Sequence, residues 1–169
     1  MDIRVYIYLV IATLIISIID LKTRKISNYW SILHLFLFFV FTAVFSEYDA
    51  FALKTYLFPI TLLICGFVLF ALGVMGGGDA KFLTTMFLLI PATFHQQFLY
   101  YLLEGTMIIA LFPLSYSMIK HRQKIINGIL MKDFRMVFEQ FKSKFPYAPV
   151  FLLASLRFGW ENHLLQNIF

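Results

Sequence analysis

An all-α, polytopic membrane helix bundle is the fold class this sequence predicts, and three observations carry the prediction. Of 169 residues, 61% are hydrophobic and only 14% are charged, and the mean hydropathy is +0.83, well outside the balance of a soluble domain. The apolar residues fall into long uninterrupted runs. A bilayer crossing takes about 20 apolar residues, so a chain of this length has room for roughly six crossings and little else. The basic residues, finally, collect in alternate connections between those runs. The expectation is one membrane-embedded domain over residues 1–169, with no soluble domain beside it.

Taken in order, the apolar runs predict helices near residues 3–20, 29–46, 52–75, 80–94, 97–119 and 146–160, with the fourth and sixth the shortest. The first run could be mistaken for a secretory signal. Only Arg4 precedes it, however, and Asp20 with a basic cluster follows it in place of a small-residue cleavage site, so it reads as a retained helix. Lys22, Arg24 and Lys25 fill the first connection, and Lys81 begins the fourth helix. Lys120, Arg122, Lys124, Lys132, Arg135, Lys142 and Lys144 occupy the last long one. These make 11 of the 14 basic residues. Because basic residues accumulate on the cytoplasmic side, the odd-numbered connections are placed there and both termini outside. Glu47-Tyr48-Asp49 and His95-Gln96-Gln97, on the opposite side, carry no basic residue.

Within residues 120–145, Ile125, Ile126, Ile129, Leu130, Phe134, Val137, Phe138 and Phe141 recur at three- and four-residue spacing between Lys124, Lys132, Arg135 and Lys142. That pattern predicts an amphipathic helix in the cytoplasmic interface, a connector anchored to the surface. The net charge of +5 reports orientation, with anionic lipid headgroups as the partner it implies and nucleic acid a poor fit. A single cysteine, Cys65, leaves no disulfide framework and no Cys-based zinc ribbon, and reads as a small buried hydrophobe. No metal site and no cofactor are expected.

Two aspartates stand apart from this background. Asp20 closes the first helix and Asp79 opens the fourth, so the topology brings both to the cytoplasmic boundary at one depth. Acidic groups at membrane depth are costly and are usually functional or paired, although Asp79 would also suit a helix start by its charge alone. In front of Asp79 stand Gly76, Gly77 and Gly78, which strip side chains from its approach and let another backbone come close. Two neighbouring carboxylates share a proton, one acting as base and the other as acid. That is the chemistry of aspartyl peptide hydrolysis: the base takes a proton from water, the water attacks the scissile carbonyl, and the acid protonates the leaving amine.

"GGGDAK" resembles the G-x-G-D motif of membrane-embedded aspartyl proteases, and "DLKTRKISN", residues 20–28, is similar to the first catalytic segment of prepilin peptidases. That family typically continues to Ile-Pro-Asn, where this chain has Ile26-Ser27-Asn28. The "PYAP" stretch at residues 146–149 looks like the family too. The resemblance implies that Asp20 and Asp79 form the catalytic pair, that Gly76, Gly77, Gly78, Lys81 and Asn28 contact substrate, and that the substrate is a type IV pilin-like precursor. The short length resembles the small peptidases of Tad/Flp pilus systems in the inner (cell) membrane. The Cys-rich domain of the larger, methylating members is missing, so methylation is not expected.

Two other functions stay open at this stage. A proton-coupled carrier could use the two aspartates as a relay, though it would spread its charges across the membrane depth; an inactive pilus-assembly subunit would keep the fold. Ser31 and His34, three residues apart, have no orienting acid nearby in sequence and read as a packing pair. His95, His121 and His163 fall at predicted ends and connections and need no special role. Glu104, inside the fifth run, is expected to reach the outer interface, the alternative being a polar partner inside the bundle.

Overall fold

The computed structural model describes residues 1–45, 52–73, 75–123 and 147–162. Among them are six long helices and no strand: α1 Ile3–Thr23, α2 Asn28–Val44, α3 Leu53–Ala71, α4 Gly77–Leu88, α5 His95–Lys120 and α6 Ala148–Glu161, with a single 3₁₀ turn at Ala92–Phe94. The predicted amphipathic helix beyond residue 123 lies outside the described residues, as do Glu47, Asp49 and His163.

Which way each helix faces is governed by an inverted rule. The buried residues of α1 recur at three- and four-residue spacing and include Thr13, Ser17 and Asp20, while Ile7, Ile11, Leu14 and Ile18 point outward. In α2 the buried residues are Ser31, His34 and Phe38, with Phe36 and Phe39 outside. In α3 they are Thr55, Pro59 and Gly66, with Leu57, Ile64 and Phe67 outside. Polar and small residues turned inward beneath an apolar surface are what a hydrocarbon solvent demands, since it gives an unpaired polar group no partner. This chain is a membrane protein. Cys65, expected to be buried, sits exposed on α3, where an apolar exterior suits a thiol as well as a core does.

Two helices, α1 and α3, are long and apolar enough to cross a bilayer among the described residues. The shorter α4 would rise only about 18 Å, and everything from Phe82 to Ile90 is buried, so it is a central core helix. It is shorter than the helix expected at 80–94 and is not among the helices long and apolar enough to cross a bilayer. The last three residues of the predicted helix, 92–94, form the 3₁₀ turn, and His95, read from sequence as unexceptional, is fully buried with Nε2 2.8 Å from both the Phe87 and Ile90 carbonyl oxygens. It caps carbonyls that a helix C-terminus leaves without intrahelical donors.

The close helix pairs form two sets: α4 packs on α2 and α3, and α6 packs on α1 and α5. Small residues set the tightest approaches. A Cβ on Gly66 would stand 2.7 Å from Ala80 Cβ, and a Cβ on Gly159 would overlap the Tyr6 hydroxyl. Between the sets run aromatic contacts, Phe82 with Phe151 at 5.3 Å and Phe87 with Phe98 at 5.5 Å between ring centroids. Glu104 lies 3.9 Å from Arg157 on α6, both side chains being well exposed at 38% and 48%; Arg157 also meets Glu161 at 2.9 Å.

Candidate active site

Asp20 is the last residue of the buried face of α1 and is 4% exposed. One carboxylate oxygen accepts a 3.2 Å hydrogen bond from the Ala148 backbone N–H, the first residue of α6. The Ala148 carbonyl in turn takes the Ser17 hydroxyl at 2.9 Å. Ser17 lies one turn before Asp20 on the same face, so α1 grips both ends of one α6 residue. The positive end of α6 is thereby directed at the Asp20 carboxylate.

Asp79 occupies the first turn of α4, outside both candidate spans. Its carboxylate reaches back to accept from the Gly76 N–H at 3.1 Å, satisfying one of the donors a helix start leaves free. Burial pushes the Asp79 pKa up to about 6; the Gly76 hydrogen bond pulls it down, and the charge of Asp20 adds to the upward push. The two acids therefore act on each other, and they come from different packing sets, α1 from one and α4 from the other. Tyr147, just before α6, joins them: burial raises its phenol pKa and so does the charge of Asp79.

The glycine segment is organised differently from the sequence reading. A Cβ on Gly78 would lie 2.5 Å from the Ile26 carbonyl oxygen. The backbone that approaches Gly78 thus belongs to the protein's own α1–α2 connection. A Cβ on Gly77 would meet only the Phe70 ring at 3.5 Å, and one on Gly76 would meet the Asp79 carboxylate at 2.7 Å. Lys81 donates to the Asn28 side-chain oxygen at 3.5 Å, so these two predicted substrate contacts are held together, both near the acids in sequence, one at the start of α2 and one on α4.

Ser27 stands where the resembled family has proline. Its φ of −71° is one that proline also adopts, and its hydroxyl oxygen accepts from the Tyr29 N–H at 3.4 Å, capping α2. The substitution keeps the backbone shape and adds a cap.

Sequence reasoning missed Ser17, Tyr147, Ala148 and the Ile26 carbonyl as parts of this site. Ser17 had a signal, its spacing of three from Asp20; "PYAP" was noticed without a role. Main-chain contacts such as those of Ala148 and Ile26 leave no trace in side-chain identity.

Fold and site define a helical membrane protein with two coupled carboxylates, one at the start of its own helix and one receiving the start of another. Its sequence matches the model of the type IV leader peptidase family over residues 7–114, a span that includes both aspartates and the glycines. The chain belongs to that family, which marks it as a leader-peptidase-like protease acting on prepilin-like proteins. Comparison with curated proteins and with solved structures gives no match.

Proposed function

We propose that this protein is an aspartyl endopeptidase that removes the leader peptide of type IV pilin-like precursors of the Flp/Tad kind at the cytoplasmic face of the cell (inner) membrane. Asp20 and Asp79 are its catalytic pair. What supports this most is the placement of the two carboxylates: burial raises the Asp79 pKa to about 6 and the charge of Asp20 adds to that push, so at mildly acidic pH a proton is shared by the pair. The ionised member takes a proton from water, the water oxygen bonds to the scissile carbonyl carbon, and the protonated member supports the carbonyl oxygen. Collapse breaks the C–N bond, and the amine leaves with the proton the acid supplies.

A substrate bond between acids from different packing sets lies along the seam between those sets. Gly76 and Gly77 leave that approach free of side chains, and Lys81 with Asn28 supplies polar groups for the leader. The basic residues Lys22, Arg24 and Lys25 support a cytoplasmic position for this end of the bundle, against anionic headgroups.

The test is coexpression with an Flp-type precursor, read by mobility shift and by the mass of the new amino terminus. Cleavage by the parent chain and none by Asp20→Asn or Asp79→Asn at matched membrane levels is expected. Continued cleavage by Asp79→Asn would remove the aspartyl mechanism.

A further inference from the structure

Deeper in the bundle than the acids lies a polar cluster that hydrolysis does not use. His34 is fully buried, with Nδ1 3.4 Å from the Thr85 hydroxyl oxygen. The Thr85 hydroxyl also lies 3.1 Å from the carbonyl oxygens of Lys81 and Phe82, which engage its proton. Thr85 then accepts from His34 Nδ1–H, and Nε2 carries a bare lone pair. That Nε2 has no hydrogen-bond partner, and neither do the Ser31 hydroxyl and the Tyr8 hydroxyl, all three buried atoms.

Tyr8 and Ser31 each neighbour His34. Ser31 lies three residues before His34, on the same face of α2, and is 7% exposed. The Tyr8 ring from α1 meets the His34 ring edge-on at 5.8 Å, and Phe82 packs on that imidazole at 4.9 Å. Thr85 is six residues along α4 from Asp79, about 9 Å deeper at a helical rise of 1.5 Å per residue. Inside a bilayer no bulk water reaches such atoms, so each must find a partner within the bundle.

We propose that Tyr8, Ser31 and His34 bind one water molecule between α1 and α2. The water donates to His34 Nε2 and completes its bonding with the two hydroxyls, which can each donate or accept; three bonds is the ordinary number for an internal water. A neutral donor–acceptor fits where an ion does not: Thr85, Phe82 and the other side chains named around the cluster carry no formal charge, and a charge at this depth would need a counter-charge. The bridge matters because α1 and α2 are not among the closely packed pairs. It joins the helix bearing Asp20 to the set bearing Asp79, through polar atoms instead of backbone contact.

Two measurements on the protein in lipid nanodiscs test this, neither depending on peptidase activity. X-ray radiolysis with mass spectrometry oxidises side chains beside ordered internal water. His34 should be oxidised several-fold faster than the equally buried Phe38 and Phe82, which are 2% and 0% exposed. Thermal unfolding of Tyr8→Phe supplies the sign. If the hydroxyl bonds a water, its loss lowers the unfolding temperature by a few degrees; if it is buried without a partner, its removal leaves stability unchanged or raises it. Oxidation of His34 at the rate of Phe38 and Phe82, or a Tyr8→Phe variant at least as stable as the parent, overturns the proposal.

Discussion

Replacing Gly78 with alanine should damage this protein where the same change at Gly77 does not. Both residues lie in the first turn of α4, so the backbone entropy gained on replacing glycine, up to about 1 kcal/mol in a helix, is nearly common to both and cancels in the comparison. What differs is the room for a methyl group. At Gly77 the new carbon meets the edge of the Phe70 ring at 3.5 Å, ordinary contact. At Gly78 it meets the Ile26 carbonyl oxygen at 2.5 Å and the Ile26 carbonyl carbon at 3.4 Å. Backbone cannot swing aside as a side chain can, so α4 or the α1–α2 connection must move by several tenths of an ångström. Overpacking of this kind costs about 1–3 kcal/mol. The assay is thermal unfolding of both variants in nanodiscs beside precursor cleavage at matched protein levels. Gly77→Ala should match or exceed the parent in stability. Gly78→Ala should fall below both and lose cleavage as well, because Asp79 is the next residue and small misplacements of catalytic groups slow reactions steeply. Equal stability of the two variants would refute the reasoning, since it would mean that Ile26 does not press on Gly78.

Asp20→Asn and Asp79→Asn should each abolish cleavage with normal insertion, and the double variant should be no worse than either, as for groups acting as one unit; the readout is precursor processing at matched levels. Because the Asp79 pKa is raised from 3.8 to about 6, its stabilising contribution is complete below the lower value and is lost as pH rises through the upper one. Unfolding temperature should therefore decline between about pH 4 and 6 in the parent and decline less in Asp79→Asn. In a Cys65→Ala background, an impermeant thiol reagent applied outside sealed cells should label a cysteine at Gln96 and miss one at Lys22; labelling at Lys22 would reverse the topology.

Composition and run length made the helical class and the six helices legible, because a bilayer needs long apolar segments whatever the packing inside. They could not tell the faces apart. With lipid on one side and core on the other, both faces of α1 and α3 are apolar, so the periodicity that marks a soluble helix is absent. The inward face is marked instead by small and polar residues, and reading α1 that way aligns Thr13, Ser17 and Asp20. Cys65 failed for the same reason. The partners of His95 and Glu104, the Phe87 and Ile90 carbonyls and Arg157 of α6, are set by packing and not by local sequence. The two aspartates stood out in the sequence because charge beside long apolar runs is rare.

The division of the helices into two packing sets gives the site its logic. Asp20 is anchored by Ser17 and the start of α6, while Asp79 is anchored by Gly76 and by the contact of Gly78 with Ile26. Each acid is thus held within its own set, and the covalent connection from Arg24 to Ser27 joins the two sets at this end, beside the ring contact of Phe82 with Phe151. That connection leaves α1 through Arg24 in the left-handed region at φ 51°, touches α4 through the Ile26 carbonyl, and enters α2 through the Ser27 cap. It therefore contributes to how far apart the carboxylates stand. Substitutions in it that leave Asp20 and Asp79 unchanged should still change the effect of one acid on the other.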